Sequence, residues 1–312
     1  MEEENQNKKR DMVLPVSIVI AAVIIAGAWI YTSDSPIRQK SGAGQASLSA
    51  TLFPQKGVEL PARWDGLGKK LIEGGAIDPQ KFEALYQNRG GLSKEMKKML
   101  YEDGNGNIKI TPENSGVILN LLWALGLANK NPILENGPMM DPQYGGAGRF
   151  ASTGGWTIAQ SNAMDHYSKH SLVVLTPAQQ ELVEKVSKNI YRPCCDNATY
   201  FPDCNHGMAM LGLLELMASQ GASEAEMYQA ALAVNSYWFP NQYKDIARFL
   251  ESKNIDWKKT SPEKLLGMGV SSASAYQQIA SQLTQTRQPS GGGCGVEAGV
   301  EEEHQQPAGC AP

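Results

Sequence analysis

Twenty consecutive residues without a charge, Met12–Tyr31 (MVLPVSIVIAAVIIAGAWIY), set the first constraint on this chain. At 1.5 Å rise per residue a helix of that length covers roughly 30 Å, about one hydrocarbon core. Pro15 falls in the first turn, where its missing N–H costs little, and Trp29 and Tyr31 fall at the far end, where amphipathic rings favour the headgroup layer. Lys8, Lys9 and Arg10 stand just before the run, so residues 1–11 are expected in the cytosol and everything beyond the span outside. Ala26-Gly27-Ala28 offers the alternative of a cleaved signal peptide, although the apolar run continues through Tyr31. Both readings place the body of the chain in an extracytoplasmic compartment.

After the span, residues 32–60 are rich in Ser, Gly, Ala and Gln and read as a flexible linker. Residues 287–312, acidic and carrying Cys294 and Cys310, read as a disordered tail. Between them, 61–286 is the expected folded ectodomain. Asp78-Pro79, Thr111-Pro112, Thr176-Pro177 and Ser261-Pro262 each place a capping residue before a proline suited to the first helical position. Thr176 with Gln179, and Ser223 with Glu226, form capping boxes. The segments they open space apolar residues three and four apart, and only IKI at 108–110 suggests a strand. The expectation is an all-α domain of seven to nine short helices behind a single N-terminal transmembrane helix. Trp123, Leu121, Leu122, Leu211, Leu214, Val183 and Trp238 are expected in its core. The Gly/Pro-rich stretch Asn129–Gly155 divides it into possible subdomains at 61–128 and 156–286.

A formal charge of −4 and a pI near 5.7 leave no basic surplus for a phosphate backbone, so nucleic acid is not an expected partner. No Ser-His-Asp order, phosphate loop or paired-carboxylate signature stands out, which leans away from an enzyme. The DGNGN turn at 103–107 fits a calcium loop poorly, because Tyr101 and Pro112 fall where carboxylates are needed.

The chemistry concentrates in YRPCCDNATYFPDCNHG, residues 191–207. Cys194, Cys195, Cys204 and His206 gather at the start of an apolar segment, where a helix dipole favours a thiolate. Upstream, His166 and His170 stand four apart, one face of a helix. These six side chains are the expected ligands of a zinc or copper ion, Met208 or Met210 adding a thioether if copper is the guest. Two alternatives stay open: a thiol-disulfide exchange protein with Cys204 attacking, or a structural disulfide between Cys204 and one of the vicinal pair. A metal-delivery or other protein partner is compatible with the first reading. Asn197-Ala198-Thr199 is a glycosylation sequon whose glycan would argue against a buried ion.

Overall fold

The computed structural model describes residues 48–285 of the 312. Helix dominates it, as the capping signals predict. Asp78 accepts from the N–H groups of Gln80 and Lys81 at the start of Pro79–Ala84. Reciprocal boxes close on Pro177–Ser187 through Thr176 and Gln179, and on Glu224–Trp238 through Ser223 and Glu226. One expected start moves: the helix after IKI begins at Ser115, because Thr111 and Asn114 bond each other's backbone N–H and hold Pro112 in a turn.

The elements needed below are β1 (Val58–Arg63), α1 (Leu67–Glu73), β2 (Asn107–Ile110), α2 (Ser115–Ala128), α3 (Ala163–His166), α4 (Pro177–Ser187), α5 (Asn205–Ser219), α6 (Glu224–Trp238), α7 (Pro240–Ser252) and α8 (Ala273–Gln285). β2 contains the expected IKI strand and pairs antiparallel with β1, Val58 opposite Ile110. Ordered structure reaches further towards the N-terminus than the linker reading has it, since Leu52, Phe53 and Leu60 are buried.

α2 and α5 form the centre. They cross at Gly126 and Gly212, where a Cβ on Gly126 would collide with the Met208 carbonyl and one on Gly212 with the Leu122 carbonyl. Backbone contact at that range explains why α5 is buried on every side from Gly207 to Ala218. Leu121, Leu122, Leu211, Leu214 and Val183 lie in this core, while Trp123 and Trp238 are partly buried, their indoles donating to the Ser152 and Ser115 carbonyls. The main apolar cluster draws on residues from Leu52 to Leu266, Met139 and Ala147 of the Gly/Pro-rich stretch among them. A smaller cluster of Phe239, Tyr243, Ile246, Leu250, Leu265 and Ile279 joins α7 and α8. No helix among the described residues is long and apolar enough to cross a membrane. The Met12–Tyr31 run and the tail cysteines lie outside the described residues.

Candidate metal centre

The loop between α4 and α5 is stitched to its own base before it offers a single sulfur. Thr199 donates to the Ile190 carbonyl through both its N–H, at 2.8 Å, and its hydroxyl, at 3.1 Å, and Tyr200 N–H donates to Ser187 O. Those bonds return the chain to α5, whose N-cap is Cys204 itself, Sγ accepting from Gly207 N–H at 3.4 Å. Cys194 and Cys195 approach from the other end of the loop. The three sulfurs form a triangle: 3.4 Å between Cys194 and Cys195, 3.4 Å between Cys195 and Cys204, and 3.7 Å between Cys194 and Cys204. A disulfide needs about 2.05 Å. All three thiols are free, so the structural disulfide expected as an alternative is not supported among them. Cys195 and Cys204 are buried and Cys194 is exposed.

Behind Cys204 lies a residue that sequence reasoning missed. Arg192 is 1% exposed, with Nε donating to Cys204 Sγ at 3.0 Å, Nη1 to Asn197 O at 2.9 Å and Nη2 to Asp203 Oδ1 at 2.5 Å. Its guanidinium packs against the first turn of α5 at Gly207, a space that exists because residue 207 is glycine. A Cβ there would sit 2.5 Å from Nη2 and 2.6 Å from Cζ. An arginine two positions before a cysteine pair and an aspartate just before the third cysteine look like loop surface in the sequence. Only the closed loop turns them inward.

The electrostatics follow from this packing. Burial raises Cys204, but hydrogen bonds from Cys194 and Cys195, the Arg192 charge and a hydrogen bond with His206 outweigh it and hold its thiol well below the usual range. Cys195 is pushed up by its hydrogen bonds with Cys194 and Cys204 and by burial. Cys194 is lowered by Cys195, yet its bond with Cys204 and burial lift it overall. Burial lifts Asp203 above its ordinary value although Arg192 pulls it down. One thiol of lowered pKa, two of raised pKa and a buried cation thus meet here, and a soft cation can displace the thiol protons.

The six expected ligands divide. Cys194, Cys195 and Cys204 meet within 4.8 Å of one another, and among the described residues they are the one group of three or more such side chains that does. His206 stays outside that group: its ring packs on Phe239, centroids 4.4 Å apart, and on Trp238 at 5.6 Å. His166 and His170 pair with each other elsewhere, Nδ1 to Nε2 at 3.1 Å. Met208 and Met210 are fully buried in the core cluster. In the DGNGN turn, Asp103 pairs with Lys69 and Asn105 bonds Gly66 N–H and the Lys98 carbonyl, which makes it a structural turn. The sequon serves the loop: Asn197 Nδ2 donates to Asp203 at 2.9 Å and Thr199 is fully buried.

Comparison with protein-family models, curated proteins and solved structures returns no match to this chain.

Proposed function

We propose that this chain is a membrane-anchored, extracytoplasmic helical protein whose Cys194, Cys195 and Cys204 hold a zinc or copper ion. The sulfur triangle carries the reading. Tetrahedral zinc at about 2.3 Å from each sulfur spaces its thiolates about 3.8 Å apart, close to the edges of 3.4, 3.4 and 3.7 Å. At that bond length the ion stands roughly 1 Å out of the sulfur plane, which leaves a fourth position for water or an incoming ligand. Copper(I) is served by the same soft donors. Arg192 offsets part of the thiolate charge, and its Nε–H, the Gly207 N–H and His206 fix the Cys204 sulfur.

Thiol exchange is the weaker reading, because the acidic Cys204 is buried at a helix start while the exposed Cys194, the sulfur an incoming disulfide would meet first, is lifted above the ordinary thiol range by its bond with Cys204 and by burial. Anchoring and orientation rest on Met12–Tyr31 and the cations before it. A metal-delivery or other protein partner would approach on the Cys194 side.

The test is elemental analysis and thiol counting on one sample of full chain, purified in detergent under reducing conditions. About one equivalent of zinc or copper is expected, lost in Cys194→Ser, Cys195→Ser or Cys204→Ser and retained more strongly in His206→Ala. Metal-free protein with all five thiols of the full chain unprotected would overturn the reading, and rapid reduction of an added disulfide by that protein would put exchange in its place.

A further inference from the structure

His166 and His170 do not join the sulfur site, and their geometry suits another chemistry. Ser161 Oγ lies 3.0 Å from His166 Nε2, and His166 Nδ1 lies 3.1 Å from His170 Nε2. The chain of bonds runs from an exposed serine through a buried imidazole to a half-buried one. Each member is held. Asn162 and Asp165 close a capping box on α3, which carries His166. His170 is pinned to the end of α2 by N–H to Ala128 O at 2.8 Å and by Lys130 N–H to its own carbonyl at 2.8 Å. The turn after α1 walls the rings: a Cβ on Gly74 would sit 3.1 Å from His170 Nδ1, and one on Gly75 3.2 Å from His166 Cε1. With His170 Nε2 accepting from His166 Nδ1–H, His166 Nε2 presents a lone pair to the Ser161 hydroxyl. This is the order of nucleophile, base and orienting group.

We propose that Ser161 is an activated nucleophile that takes the acyl group of an activated ester presented from solvent, with His166 as its base and His170 as the positioning residue. In the forward step the Ser161 Oγ–carbonyl carbon bond forms while the hydroxyl proton passes to His166 Nε2. The carbon–oxygen bond to the leaving alcohol then breaks, and that alcohol takes the proton from His166. Water releases the carboxylic acid from O-acyl Ser161 by the same two proton movements. Burial and the neighbouring His170 lower the His166 pKa, which keeps the base form available near neutral pH.

The experiment exposes the full chain to p-nitrophenyl acetate and reads both nitrophenolate release and acetylation of Ser161 by peptide mass spectrometry. Acetyl-Ser161 is expected to accumulate in wild type and to vanish in Ser161→Ala. His166→Gln should slow it about 10²-fold. His170→Gln should slow it less and move the acid limb of the pH profile, which a purely structural role would leave in place. Acetylation of Ser161 no faster than that of an exposed serine such as Ser93 would overturn the proposal. So would a wild-type rate independent of pH across the imidazole range, a readout that does not depend on any variant folding. Metal content does not enter this test, so it stands or falls apart from the sulfur site.

Discussion

Gly207 decides the sulfur site through an atom it lacks. The Arg192 guanidinium occupies the volume a side chain would need, so Gly207→Ala must push the arginine off Cys204 or bend the first turn of α5. The expected result is a loss of about 1–3 kcal/mol of stability and a 10–100-fold weaker metal affinity, read by denaturant titration and competition with a chelator. Unchanged affinity would show that Arg192 does not tune the ligands. Glu215 makes a second residue-scale case. It is fully buried in α5, one carboxylate oxygen accepting from Asn129 Nδ2 at 3.0 Å and the other without a partner. Burial holds its pKa well above the ordinary value of 4.5. Because the folded pKa is raised, the group's contribution is most favourable below the unfolded pKa and is lost as pH climbs towards the folded one. Glu215→Gln removes that dependence, so the variant should gain about 1–3 kcal/mol over wild type at pH 7.5 and little at pH 4, measured by urea unfolding. A gap that does not change with pH would rule the linkage out. Spacing made the three cysteines legible, whereas Arg192, Asp203 and Glu215 were not. A charge is read from sequence as surface unless the chain's closure is known.

Among elements, the helices were legible because their caps are local. Asp78, Thr176 and Ser223 bond N–H groups two or three residues away, and no distant contact is needed to place them. β1 was hidden for the converse reason: VELPAR carries a proline and only two strong apolar residues, Val58 and Leu60, and its strand character comes from pairing with β2 across more than forty residues of chain. The α2–α5 crossing is equally non-local, and it makes two glycines of one helix behave oppositely. Gly116, exposed on α2 with nothing within 4 Å of a built Cβ, should accept alanine with a gain of up to about 1 kcal/mol from helix propensity. Gly126 meets the Met208 backbone, so Gly126→Ala must part the helices and should cost about 1–3 kcal/mol or more. Thermal melts of the two variants side by side check this, and a shared sign would mean that close backbone contact does not hold the core together.

At the scale of the molecule, the sulfur loop is also a joint between the main core and the α7–α8 cluster. Tyr191 N–H donates to Leu266 O at 2.8 Å, Ala273 N–H to Cys195 O at 3.1 Å, and Ser274 N–H to Asp196 Oδ1 at 2.8 Å. Asn235 of α6 reaches both the Tyr191 carbonyl and the Tyr243 hydroxyl. An ion that fixes Cys195 therefore fixes the backbone carbonyl on which the start of α8 hangs. Ligation also satisfies three sulfurs that otherwise have only one another and Arg192 to share charge with, so metal binding should stabilise this joint more than the α2–α5 crossing, whose contact at Gly126 and Gly212 makes no bond to the loop's sulfurs. Hydrogen exchange on the full chain, metal-loaded and after chelation, separates these regions. Loss of the ion is expected to raise exchange by about tenfold or more in residues 240–285 while Leu121–Leu127 and Leu211–Leu216 keep their protection. A uniform rise would mean that the ion stabilises the whole fold as one unit, and no rise in 240–285 would disconnect the sulfur site from the α7–α8 cluster.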